Sequence, residues 1–276
     1  AWLLSIALVG CTLPDGFSEG PEVVCSAPND DWNRLREVAV ERGVVMDQPV
    51  QDVAGGCQPL NRGVVAQDLD GDGDIDLLFP NSRGMPFLFA NDGAGTFTAV
   101  DPPTAAAALE AIARPVLSAG AVDLDGDGLP EITLSGEGIA IVLPNLGGFD
   151  FGEPDVIFDQ PEFPRTCFHS MAWGDMDGDG DLDLVLPGLD SVDSEIPDES
   201  SPIDEGSADQ VVRNTGSGFE VLAPLVPEDP QWLSLVAAFT DRDGDGDLDL
   251  LLTTDRPALV GGRAAFYRND GPGPNG

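Results

Sequence analysis

The sequence predicts an all-β protein, a β-propeller built of four-stranded blades, and three observations predict it. A nine-residue Asp-rich loop occurs four times, starting at residues 68, 123, 175 and 241. Short strand-like apolar runs flank the loops, and each loop is followed by an Asn/Gly turn. The intervals of 55, 52 and 66 residues suit four antiparallel strands per repeat, the size of a propeller blade.

The loop is the most informative element. The first copy carries Asp68, Asp70, Asp72, Asp74 and Asp76; the second Asp123, Asp125, Asp127, Leu129 and Glu131. The third carries Asp175, Asp177, Asp179, Asp181 and Asp183, and the fourth Asp241, Asp243, Asp245, Asp247 and Asp249. Nineteen of the 50 acidic residues of the chain lie in these windows. Carboxylates at positions 1, 3, 5 and 9 of a tight loop converge on one point, as a hard cation with six to eight oxygen ligands requires. Position 7 is Leu129 in the second copy, so the ligand expected there is a backbone carbonyl. Glycine occupies positions 4 and 6 in every copy, where positive φ would fold the chain around an ion. A donor set of oxygen alone favours Ca²⁺ over zinc or copper, giving about four ions in all. The second copy departs from the pattern at Leu129-Pro130-Glu131 and is expected to bind more weakly.

An EF-hand begins in the same way but needs Glu at position 12 and flanking helices. Position 12 here is Phe79, Leu134, Leu186 or Leu252. The runs behind the loops, Leu77–Phe79, Ile132–Leu134, Leu184–Leu186 and Leu250–Leu252, read as strands buried on both faces. Runs ahead of them at 63–66, 170–173 and 234–239, with a weaker one at 119–122, read as the preceding strands. The turns begin at Asn91, Asn145, Asn214 and Asn269; Phe97, Phe149 and Phe219 follow the first three and are expected to open the outer strands. The blades are expected near 61–101, 117–160, 169–224 and 233–276, with almost no helix.

The Asp-x-Asp-Gly-Asp-Gly-x-x-Asp loop, the strand behind it and the Asn-x-Gly-x-Gly-x-Phe turn resemble FG-GAP and VCBS repeats. These build the propeller of integrin α subunits and of many bacterial surface proteins. Trp173-Gly174-Asp175 before a loop and Tyr267-Arg268-Asn269 at a turn are similar to the bacterial relatives of cartilage acidic protein. The resemblance covers roughly residues 60–276 and implies calcium bound in the loops. In that family a leading segment supplies a strand to the last blade, a place that residues 32–40 could take. The alternative is that the four blades are part of a larger propeller of about seven.

A net charge of -38 repels nucleic acid and anionic lipid headgroups. The apolar run 1–10 is too short to span a bilayer and fits the core of a secretory signal. It ends Leu8-Val9-Gly10-Cys11, which resembles a bacterial lipobox; the resemblance implies cleavage over residues 1–11, a lipid on Cys11 and, with Thr12 next, an outer-membrane anchor. Contact with a membrane would then be through that lipid alone, with the protein periplasmic or at the cell surface. Residues 12–31 suit a flexible tether before a propeller region at 32–276. Of Cys25, Cys57 and Cys167, an oxidising compartment permits one disulfide; the expected pair is Cys25 with Cys57, both ahead of the repeats.

An acidic insertion at about 188–209 reads as a surface loop. The lone His169 has no visible Ser or Cys partner arrangement, and Trp32, Trp173 and Trp232 read as packing residues. No catalytic acid, base or nucleophile stands apart from the loop carboxylates. The expectation is a non-enzymatic adhesion or recognition module for a protein or carbohydrate ligand. A propeller-scaffold hydrolase or polysaccharide lyase, and a structural or assembly subunit, are the alternatives.

Overall fold

The computed structural model describes residues 38–46, 57, 63–81, 85–112, 114–160, 166–190, 209–225, 234–254 and 264–271. The chain divides into two units, Ala1–Ala39 and Val40–Gly276, and everything below concerns the second. The signal and lipobox with Cys11, the tether, Cys25, Trp32, Trp232, residues 32–37 and residues 191–208 of the insertion lie outside the described residues. Val40–Gly43 form a turn closed by the Gly43 amide on the Val40 carbonyl.

Strands β1 (Val65–Gln67), β2 (Asp76–Phe79), β3 (Phe87–Asn91) and β4 (Phe97–Val100) form the first antiparallel sheet in chain order. Helix α1 (Pro103–Ile112) leads to β5 (Val116–Val122), β6 (Glu131–Gly136), β7 (Ile139–Leu143) and β8 (Asp155–Asp159), the second sheet. Next come β9 (Thr166–Cys167), β10 (Ala172–Gly174), β11 (Asp183–Leu186), β12 (Leu189–Asp190), β13 (Gln210–Asn214) and β14 (Phe219–Val221). Of these, β10, β11, β13 and β14 make the third sheet, and β9 pairs with β12. Strands β15 (Ser234–Thr240), β16 (Asp249–Thr254) and β17 (Ala265–Tyr267) make the fourth.

Alternation along the strands packs each sheet against the next. In β7, Ile139, Ile141 and Leu143 join Leu69 of the first loop and Leu78 and Leu88 of the first sheet, whereas Ala140 and Val142 join Leu184, Leu186 and Val212 of the third. In turn Val185 and Val211 meet Ala237, Leu250 and Leu252 of the fourth. This is why β6, β7 and β11 are buried along their whole length: both faces are covered, so β7 and Leu184–Leu186 are apolar without alternation, and Thr133 and Ser135 of β6 are buried polar residues. Four sheets stacked face to face in chain order are propeller blades, as the repeat spacing predicted. Gly174 lets two of them close up, since a Cβ there would lie 2.6 Å from the Phe239 ring.

Almost no helix was expected, and α1 is the one helix among the described residues; proline at its first position and a run of alanines favour it, and Ala105 and Leu109 bury against the first two sheets. Two expectations are corrected. Phe149 does not open a strand. It has φ +60 in a turn closed by Leu146 N to Asp150 O, Phe151 takes the buried place, and β8 starts at Asp155. Cys57 pairs with Cys167 rather than with Cys25. Both sulfurs are buried beside Leu117 and Leu189, with Cα atoms 5.4 Å apart, so Cys57 is fastened to β9. The insertion is also narrower than its sequence suggests: Leu189–Asp190 pair with Thr166–Cys167, and the buried Asp209 carboxylate accepts the Gly188 amide at 2.9 Å.

Candidate metal centres in four aspartate loops

Each Asp-rich loop joins the first two strands of its sheet. The glycines at positions 4 and 6 have φ between +74° and +100°: Gly71 and Gly73, Gly126 and Gly128, Gly178 and Gly180, Gly244 and Gly246. Their amides point inward. Position 1 accepts both, as where Asp68 takes Gly71 N at 2.8 Å and Gly73 N at 2.9 Å, and Asp123, Asp175 and Asp241 repeat this. Position 5 accepts the amide of position 7 at Asp72, Asp127, Asp179 and Asp245.

In every loop three carboxylates bring an oxygen within 4.8 Å of one another. In the first and third loops these are positions 1, 3 and 9: Asp68, Asp70 and Asp76, then Asp175, Asp177 and Asp183. In the second and fourth they are positions 1, 3 and 5: Asp123, Asp125 and Asp127, then Asp241, Asp243 and Asp245. Position 7 stands apart. A Cβ at the turn glycines Gly93, Gly216 or Gly271 would lie 2.6 Å from the carboxylate of Asp74, Asp181 or Asp247. Leu129 faces the equivalent turn glycine, Gly147, where a Cβ would lie 3.4 Å away, and also approaches Gly71 of the first loop.

Position 9 has a second job that the sequence did not reveal. Asp76, Glu131, Asp183 and Asp249 are all buried, at 5% exposure or less. One oxygen accepts the amide of loop position 2, from Leu69, Leu124, Met176 and Arg242 in turn, at 2.7 to 3.2 Å. In Asp76, Asp183 and Asp249 the other accepts the amide of the turn asparagine, Asn91, Asn214 or Asn269, at 2.8 to 2.9 Å. The carboxylate thus clips the loop to the third strand. A turn asparagine in every repeat was the available signal.

Burial, and then the neighbouring carboxylates, push Asp70, Asp183 and Asp243 above the usual carboxylate range; Glu131 is raised by burial and by Asp125. Two like charges at this spacing repel by about 1 kcal/mol in water and about 3.5 at a dielectric of 20. Clusters of oxygen donors under such repulsion fit a hard divalent cation. Asp179 is the exception, held low by the Asp181 amide and by Arg213. His169 is buried in the third blade, and Trp173 packs edge-on against Phe219 at 6.3 Å.

The first three loops lie in segments that match a known family: residues 68–134 and 123–186 each match the FG-GAP-like repeat. No curated protein matches the chain. A solved lectin of Agrocybe aegerita, described for specific recognition of non-reducing terminal N-acetylglucosamine, is 21% identical with a TM-score of 0.45. The match covers 79% of this chain and 54% of that one, so the chain spans about half the length of the lectin. Residues 68–186, with the first three loops and the strands and turns around them, thus match FG-GAP-like repeats.

Proposed function

We propose that the four loops bind Ca²⁺ and that the ions stabilise a non-enzymatic propeller used for adhesion or ligand recognition. The observation that supports this best is the convergence of three carboxylates in every loop, each on glycines held at positive φ. Positions 1 and 3, with position 5 or 9, would hold the ion, which would neutralise the repulsion among them. Each loop joins two strands of one blade, so the metal is assigned a structural part and the ligand a separate surface. The ligand class proposed is a protein or a carbohydrate, and the site of action the cell envelope. There the lipobox-like Leu8-Val9-Gly10-Cys11 would supply a lipid anchor.

Titration of metal-free protein against a competing chromophoric chelator tests the first half. Extracellular calcium modules bind at about 10⁻⁴ to 10⁻³ M, and about four sites in that range are expected, with Mg²⁺ a poor substitute. Protein that binds no Ca²⁺ and melts alike in chelator and calcium removes this reading. Palmitate labelling lost in Cys11→Ser tests the anchor, and calcium-dependent binding to immobilised glycans and matrix proteins tests recognition.

A further inference from the structure

Twelve basic residues, all arginine, face 50 acidic ones in this chain, and two of the twelve occupy the same place in different blades. The strand register defines that place. Loop position 10 pairs with the residue two before the turn asparagine: Leu77 with Phe89, Ile132 with Leu143, Leu184 with Val212 and Leu250 with Tyr267. The residue between that partner and the asparagine is therefore equivalent in the four blades. It is Ala90, Pro144, Arg213 and Arg268.

Arg213 reaches the third loop. Its Nη2 lies 2.5 Å from Asp177 Oδ2 and 3.3 Å from Asp179 Oδ2, positions 3 and 5. Asp177 is one of the three carboxylates that converge there. The Nε of Arg213 is buried without a partner, so both contacts run through a single nitrogen. Arg268 stands over the fourth loop in the same way but is shared: its Nε is 3.8 Å from Asp243 Oδ2, while Nε and Nη2 both bond Asp270 in the turn. The residue equivalent to Asp270 in the third blade is Thr215, which offers no carboxylate. The first and second loops have no arginine at this place.

We propose that Arg213 is a resident counter-ion of the third loop, holding Asp177 and Asp179 in the metal-free state and yielding them when a divalent cation binds. The proposal rests on reading the loops as cation sites. A fixed positive charge relieves carboxylate repulsion in the empty loop. Binding measures the difference between the loaded and empty loops, so whatever stabilises the empty one lowers affinity. The charge also reduces the attraction that an incoming cation meets. The third loop therefore stays ordered without metal and binds it less tightly than the first. A purely orienting arginine would do the reverse: by fixing ligand carboxylates it would raise affinity.

Full-length Arg213→Gln, Arg213→Lys and Ala90→Arg decide between the two. Ca²⁺ titration against a competing chelator and melting in EDTA are the readouts. Arg213→Gln should keep the number of sites and tighten one of them about two- to fivefold, the range of a half-exposed ion pair. Its melting point in EDTA should fall by about 1 to 3 °C while that in saturating calcium stays put. Arg213→Lys should keep the wild-type affinity, and Ala90→Arg should weaken one site by a similar factor. Unchanged or weaker calcium binding by Arg213→Gln, with the wild type binding normally, overturns the counter-ion alone. A wild type that binds no divalent cation overturns the site reading and this proposal together. Should Ala90→Arg not fold, the two Arg213 variants still separate a counter-ion from an orienting arginine.

Discussion

Asn145 donates its side-chain amide to the carbonyl of Leu69 at 2.8 Å, across 76 residues and from one blade to the loop of the blade before it. The same nitrogen reaches the Pro130 carbonyl at 3.0 Å, and Gly148 N adds a bond to Asp70 O at 2.9 Å. Asn269 repeats the arrangement on Met176 at 2.7 Å. Between the second and third blades no such bond joins Asn214 to Leu124. An opening of about 500 Å³ lies there, lined in part by Leu124, Asp125, Pro144, Asn214 and Phe219.

Asn145→Ala is expected to destabilise the protein by about 1 to 3 kcal/mol, because it leaves two buried carbonyls without a donor. Asn214→Ala should cost less, since its backbone amide still meets Asp183 and no cross-blade bond is lost. Urea unfolding of the two variants checks the order.

Positions 3 and 9 of one loop should separate under chelation. Asp70 is one of the three converging carboxylates of the first loop and accepts one amide, Asp72 N at 3.1 Å. Asp70→Ala should melt like the wild type in EDTA and gain less from calcium, by about 1.4 kcal/mol at ten times the dissociation constant. Asp76 is buried and satisfies two amides, Leu69 N and Asn91 N. Asp76→Ala should lose about 2 to 4 kcal/mol even without metal. Equal melting points for the two variants in EDTA would contradict the clip.

What was legible in the sequence was local. The four loops could be read because Asp and Gly at fixed spacing carry both the donors and the backbone geometry, and the strands because Leu77–Phe79 and its counterparts are short runs, apolar but for Thr133. What was missed depends on partners distant in sequence. Nothing near Asp76 announces that its carboxylate will clip Asn91, and nothing near Cys57 announces Cys167, 110 residues away. Nor does the turn at Asn145 announce Leu69 in the preceding blade. Helix α1 is different: its proline and alanines are a local signal. Phe149 was misplaced because Phe151 carries the same side chain two residues on, and only the turn decides which of them is buried.

The Cys57–Cys167 bridge closes a long loop that includes the first two blades. In the chain-entropy account such a bridge over about 100 residues contributes up to about 4.7 kcal/mol, and measured values are commonly about 2 to 4. Both sulfurs are buried, so reduction should need partial unfolding. The double variant Cys57→Ser/Cys167→Ser is expected to melt well below the wild type in saturating calcium. A reducing agent should lower the wild-type melting point toward that of the variant and leave the variant unmoved.

The last prediction is a pH dependence that belongs to Asp209 rather than to the metal loops. Its carboxylate is 2% exposed, accepts Gly188 N at 2.9 Å and takes the Ser234 hydroxyl at 2.9 Å. It therefore joins the neck of the insertion to the first strand of the fourth sheet. Burial pushes its pKa up to about 6 from 3.8, and the two hydrogen bonds offset only part of that. The folded protein thus holds a proton that the unfolded chain has released above about pH 4. Stability from this group is complete below that pH, falls as pH rises toward 6, and is level beyond it, a loss of about 3 kcal/mol. Asp209→Asn keeps an acceptor for Gly188 and offers a donor to Ser234, with no charge to bury. It should match the wild type near pH 4 and exceed it by up to about 3 kcal/mol at pH 8. Urea unfolding at both pH values in saturating calcium keeps the loop carboxylates loaded, so that the difference between the two proteins isolates Asp209. A difference that does not change with pH would show that this carboxylate stays ionised in the fold, and the burial argument would fail.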